Sequence, residues 1–97
     1  MAQFDVFRLD GGVLVVDLQT DLLGIDASRI VAPLREKGSY TALPALTPDV
    51  HIAGKDWIVR TQELAAVPGA ELHDQVGSLQ SARDRLKRAL DILIDGF

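Results

Sequence analysis

Few side chains in this 97-residue chain could do acid–base or nucleophilic chemistry. With no cysteine there are no thiolate nucleophiles, thiolate metal sites or disulfides, and two histidines alone do not build an ordinary zinc site. Asp17 and Asp21, four apart around Gln19, have the spacing of paired carboxylates. In a passage from strand to turn, however, Asp21 reads as a turn starter. His51 stands between Val50 and Ile52 in an alternating stretch and reads as a structural or surface residue, because no partner spacing marks it as a ligand. His73-Asp74 reads as a loop pair. Arg83, Arg85, Lys87 and Arg88 are close enough for a phosphate patch, yet Asp84 and Arg88 form a favourable i,i+4 pair and such runs are usually solvated faces. Trp57, the only tryptophan, opens an alternating strand and is expected in the core. The chain has no glycine-rich phosphate loop, nucleophile elbow or metal-ligand motif.

Two periodicities organise the elements that must position these groups. From Gln3 to Thr61 the apolar stretches are short, β-branched or aromatic, and broken by Gly, Pro and Asp at intervals too tight for helices. Phe4-Asp5-Val6-Phe7 and Val13 to Leu18 flank Asp10-Gly11-Gly12, which predicts a hairpin. Arg29 to Leu34 reads as a strand, with Pro33 expected at an edge because proline cannot donate to a ladder. Pro44 and Pro48 bracket a loop. Val50 to Ile52 and Trp57 to Thr61 predict a second hairpin across a four-residue connection, Ala53 to Asp56. After that the period changes. Leu79, Ala82, Leu86, Leu90, Leu93 and Phe97 recur every three or four residues, which predicts an amphipathic helix over about 79–95. Ser81 with Asp84 would form a capping box, or Ser78 would cap one turn earlier.

Length, composition and charge bound the rest. Ninety-seven residues make one domain, and 47% hydrophobic content fills its core without staples. The net charge is −4, which argues against nucleic-acid binding by the chain as a whole. Residues 79–97 carry four bases and three acids, so the other 78 residues carry six bases and eleven acids, or −5. The bases concentrate on the helix. The longest aliphatic run, Val13 to Val16, is far short of a membrane span, and no secretory signal is visible, so a soluble cytoplasmic protein is expected.

Five short blocks, in order and at nearly the right spacing, resemble the CcdB family of plasmid and chromosomal toxins. They are Gln3 to Phe7, Val16-Asp17-Leu18-Gln19-Thr20-Asp21-Leu22-Leu23, Arg29 to Leu34, Val50-His51-Ile52 with Trp57, and Leu64 to Pro68. Leu86 to Ile94 resembles the family's terminal helix. The resemblance implies a mainly β fold with a C-terminal α-helix: an SH3-like barrel of antiparallel sheets, as in the MazF and Kid toxins. It also implies a homodimer without cofactor or metal. The family's toxins are not enzymes. They bind the DNA gyrase A subunit, a CcdA-like antitoxin strips them off, and they reach DNA only indirectly, through the antitoxin complex.

Carried over residue by residue, the resemblance places gyrase contacts on Leu22, Leu23, Asp95, Gly96 and Phe97. The family's terminal Trp-Gly-Ile is here Asp95-Gly96-Phe97, so an aspartate stands in place of a large apolar anchor. Antitoxin contacts are expected on the helix face bearing Arg83, Lys87, Arg88 and Asp91. Two other readings remain open. One is a MazF-like or Kid-like endoribonuclease, using Arg60 or Arg29 with His51 or an aspartate as base. The other is a non-toxic co-repressor that works with an antitoxin.

Overall fold

The computed structural model describes residues 2–20, 28–38, 43 and 45–96. Asp21, Leu22, Leu23, Pro44 and Phe97 lie outside the described residues, and with them part of the expected gyrase contact. Among the described residues, seven strands precede one helix: β1 Asp5–Arg8, β2 Leu14–Asp17, β3 Ser28–Glu36, β4 Asp49–Ile52, β5 Lys55–Val59, β6 Ala65–Pro68, β7 Gln75–Ser78 and α1 Arg83–Asp95. Every pairing is antiparallel, in the order β4-β5-β3-β2-β1-β7, with β6 pairing β3 off that path. The mainly β fold with a C-terminal helix is therefore as expected.

The strand β3 holds the arrangement together. One side of it pairs with β2 from Val31 to Leu34. The other side pairs first with β6, over residues 28–31, and then with β5, over residues 34–36. This explains Pro33, which does not lie at an edge. Its carbonyl accepts from the Arg60 N–H at 2.9 Å, so its missing N–H falls on the same side, in the gap where β3 changes partner and no ladder donor is needed.

Successive strand residues bury opposite faces. Val6, Leu14 and Val16 join a large cluster with Phe4, Leu34, Val59 and Leu86, whereas Phe7 and Val15 join a smaller one with Val31 and Leu72. Both faces of β2 are covered, which is why its four residues are all buried and its sequence is an unbroken apolar run up to Asp17. The ends of the strand path approach each other where Ile52 meets Gly77. A Cβ there would stand 2.9 Å from Ile52 Cδ1, so a glycine lets β7 come in close.

Three details differ from the pattern in the sequence. The β4–β5 connection is two residues, Ala53 and Gly54, both with positive φ (53° and 80°), the backbone of a tight hairpin turn; the expected four-residue connection counted two strand residues as loop. The helix begins at Arg83, because Gln80 to Ala82 form a 3-10 turn that buries Leu79 and Ala82 beneath it. Neither serine caps it: Ala82 is the N-cap, and the Ser78 hydroxyl instead accepts from the Gln80 N–H at 3.3 Å. Strands β6 and β7 carry almost no apolar alternation and were not expected.

Leu86 and Ala89 are the fully buried residues of α1, and Leu86 joins the main cluster. Leu86→Ala should lower stability by about 2 to 5 kcal/mol, as for other buried leucines, and melting followed by circular dichroism measures it. A loss below about 1 kcal/mol would mean that the helix is not docked on the barrel.

Candidate functional site

At its C-terminal end, α1 becomes steadily more exposed. Ile92 and Leu93 are half-buried, and Ile94, at 74%, is the most exposed large hydrophobic side chain among the described residues. Asp95 follows, exposed, and Gly96 ends the helix in the left-handed conformation, its N–H bonded to the Ile92 carbonyl at 2.9 Å. Only glycine takes this turn without steric cost. Asp95 and Gly96 thus sit beside an exposed apolar side chain, and Leu22, Leu23 and Phe97 lie outside the described residues.

The residues expected on an antitoxin face lie together on α1. Arg83, Lys87, Arg88 and Asp91 are all exposed; the first, second and fourth are spaced by four, one above another on the helix. Arg85 leaves this group, because its Nη1 donates to the Asp49 carbonyl at 2.6 Å and ties the helix to β4.

The groups proposed for acid–base or phosphate chemistry are dispersed. Asp17 and Arg29 form a buried ion pair, with side chains 0% and 5% exposed; Arg29 Nη2 lies 2.8 Å and Nε 3.0 Å from Asp17 Oδ2. The same guanidinium donates to the Gln19 carbonyl at 3.1 Å. Asp17 therefore pairs with Arg29, whose guanidinium fastens the end of β2 to the start of β3. Arg60 donates to Glu63 at 3.0 Å, and Glu63 also faces Arg35 at 3.8 Å. His51 is exposed, on the hairpin beyond the far end of β3. Seven residues of strand separate Arg29 from Glu36, near which that hairpin pairs, on the order of 20 Å. Arg29 and His51 therefore do not share a site.

His51 has other neighbours. Its Nδ1 donates to Asp56 Oδ1 at 3.0 Å, and with Lys37, Asp49, Val50 and Arg85 the pair lines a depression of about 280 Å³. Lys37 Nζ lies 3.4 Å from Asp49 Oδ2. Two cations thus face two carboxylates, so the depression has no excess charge to attract a phosphate. No three His, Asp or Glu side chains among the described residues are grouped to hold a metal ion.

Sequence reasoning missed one feature. Trp57 is only half-buried: it packs against the main cluster, donates Nε1–H to the Ile52 carbonyl at 3.1 Å, and lines two open grooves. The core role expected for it is only partly filled. A groove of about 410 Å³ runs from Trp57 along Gly11 to Leu14 and Leu34 to Glu36, and one of about 210 Å³ runs along Arg8, Ala53 and Lys55. The Gly11-Gly12 turn and the cations on neighbouring strands were visible signals, but only the sheet order brings them to the indole.

The family model described as "CcdB protein" matches residues 3–96. The chain belongs to the CcdB family. It is a toxin of the CcdB family, and its solved structural relatives include MazF-type toxins. The "Mycobacterium tuberculosis toxin MazF-mt6" superposes with a TM-score of 0.77 at 21% identity, covering 94% of each chain. An "Endoribonuclease in complex with its cognate antitoxin from Mycobacterial species" gives 0.82 at 14% identity, over 97% of this chain and 94% of that one. An "Endoribonuclease from Mycobacterial species" gives 0.77 at 14% identity, over 97% and 90%. These likenesses correct one expectation. A CcdB-like protein was read as non-enzymatic, but this fold is shared, over nearly the whole chain, with proteins described as endoribonucleases, and an enzyme is therefore admitted.

Two outcomes follow from the polar contacts. Arg29→Ala leaves the Asp17 carboxylate buried without its cation and should cost about 3 to 5 kcal/mol in a denaturant titration. The double change Asp17→Asn with Arg29→Met should cost less, and equal losses would mean that the pair is not buried. The hydrogen bond from His51 holds the Asp56 carboxyl below its ordinary 3.8, against the opposing effect of desolvation. A depressed carboxylate contributes stability that is present above its unfolded pKa and is lost as pH falls through its folded one. In His51→Ala the Asp56 titration, read by carboxyl-carbon NMR, should move up toward 3.8; an unmoved midpoint rejects the contact.

Proposed function

We propose that this toxin acts as a homodimer on the A subunit of DNA gyrase through the C-terminal end of α1, and that a CcdA-like antitoxin neutralises it. The observation that carries the reading is the family match through residue 96, ending at an exposed Ile94 and a glycine-terminated helix. The exposed Ile94, beside the half-buried Ile92 and Leu93, offers apolar area to a partner. Asp95 there lacks the apolar area of the family's tryptophan, and desolvating a carboxylate offsets much of any pairing it makes, so gyrase binding is weak. Ile30, 37% exposed on β3, and the exposed Ala65, Ala66 and Pro68 of the neighbouring β6 support self-association. The stripe of Arg83, Lys87, Arg88 and Asp91 suits an acidic antitoxin segment, and it is a solved relative of this fold that is described in complex with its cognate antitoxin.

A second reading is an endoribonuclease toxin, favoured by the fold shared with proteins so described. One set of measurements separates the two. Light scattering should give about twice 10.5 kDa. Titration into a gyrase A fragment should show weak binding, and Asp95→Trp should tighten it roughly 30-fold to 1000-fold, the usual worth of an interface tryptophan. Deleting Gly96 and Phe97 should abolish that binding while the melting temperature holds. Growth arrest that survives the deletion, together with cleavage of cellular RNA, would replace the gyrase reading with the second one.

A further inference from the structure

We propose that the surface around Trp57 is a binding site for single-stranded nucleic acid, in which a base stacks on the indole and neighbouring phosphates meet Arg8, Arg35 and Lys55. The site is separate from the helix end on which the proposed gyrase contact rests. It begins with the two grooves, which share Gly12, Leu14 and Trp57 and therefore form one continuous surface passing the indole on both sides. Arg8, Arg35 and Lys55 line it beside one acid, Glu36, and each of these cations is paired with a carboxylate, so a phosphate reaches their charge only by exchanging with those partners.

The cations are tethered loosely enough to be recruited. Arg8 lies 3.6 Å from Asp74 and Lys55 3.4 Å from Glu36, both exposed pairs, while the half-buried Arg35 lies 3.8 Å from Glu63 with its Nε buried. Exposed pairs at such separations are worth little, so exchanging a carboxylate for a phosphate costs little. The rim is equally permissive: a Cβ built on Gly11 or Gly12 would meet nothing within 4 Å, so a nucleotide backbone can come close to the β1–β2 turn.

The other occupant for such a groove is an acidic peptide anchored by an apolar side chain. The lining argues against it. Leu14 and Leu34 are 4% and 2% exposed, so they offer no socket for an anchor. The accessible surface left is aromatic ring, glycine backbone and cation, with Glu36, Ala53 and the half-buried Val13 beside them; ring and cation together hold unpaired strands by stacking and charge with little sequence preference.

Trp57 is the only tryptophan, so intrinsic emission reports on this site alone. The full chain is titrated at low salt with an eight-nucleotide oligouridylate, the matching oligothymidylate, a duplex RNA of equal length and a glutamate-rich peptide with a central phenylalanine. Both single strands should quench the emission and the duplex should not. Stronger binding of the RNA would place its 2′-hydroxyls in the site, and equal binding would rest it on base and phosphate alone; both support the proposal. The affinity should fall with salt at a logarithmic slope near −2, as for about three neutralised phosphates. Arg8→Glu and Lys55→Glu should each weaken binding about fivefold or more. With a labelled oligonucleotide, Trp57→Ala should weaken it tenfold or more and Trp57→Phe much less, each variant first checked for a native melting transition. Absent quenching, duplex binding equal to single-strand binding, indifference to the charge reversals, or saturation by the peptide alone would each overturn the proposal.

Discussion

The buried ion pair of Asp17 and Arg29 is the contact on which the sheet most depends. It closes β2 against the start of β3, with a second tie where Arg29 reaches the Gln19 carbonyl and a third where the Gln19 side chain accepts from the Ile30 N–H at 3.2 Å. Two charges this far from water are worth having only when their hydrogen bonds are satisfied, and here the carboxylate also accepts from the Gln19 N–H at 3.1 Å. The consequence is register. A slip of one residue between β2 and β3 would turn Asp17 from its partner and exchange the two apolar faces, placing Val16 where Val15 belongs. The pair contributes less by attraction than by making every other register expensive.

With β3 fixed, the remaining elements have little freedom. Its first half needs a partner and takes β6; its second half takes β5, with Pro33 at the change. The β4–β5 hairpin is thereby aimed at β7, where Gly77 admits Ile52, and α1 docks Leu86 into the cluster those strands share. The helix then carries its C-terminal residues past the edge of that cluster. Ile94 is exposed because the barrel beneath it has ended, so the position of the tail is a consequence of helix length and of where Leu86 is anchored.

How much of this was legible in the sequence follows from what each signal measures. Short apolar runs reported β1 to β5, as alternation where one face is exposed, as in β4, and as an unbroken run where both are covered, as in β2, and the 3.6-residue period reported α1. Strands β6 and β7 were silent because Ala65-Ala66-Val67-Pro68 and Gln75-Val76-Gly77-Ser78 lack the alternation, and only neighbours distant in sequence make them strands. Leu79 and Ala82 continued the helical period into a 3-10 turn, since a buried turn needs apolar residues at similar spacing. At the candidate sites, the stripe on α1 could be read because it is local. The pairing of Asp17 with Arg29 and the surroundings of Trp57 could not, being set by sheet order.

Net charge says little about where on the surface a partner could bind. The barrel's −5 describes its potential at a distance, which at physiological ionic strength fades within about 8 Å. Closer in, a partner meets local arrangements. Arg29 is committed to a buried carboxylate and Arg60 to Glu63, so neither is offered to a ligand at low cost. Arg83, Lys87 and Arg88 stand on an exposed helix face, and Arg8 and Lys55 are held only by exposed carboxylates on either side of an aromatic ring. An acidic protein can therefore leave exposed cations within reach of a partner, because part of its carboxylates is spent on the cations it buries or half-buries.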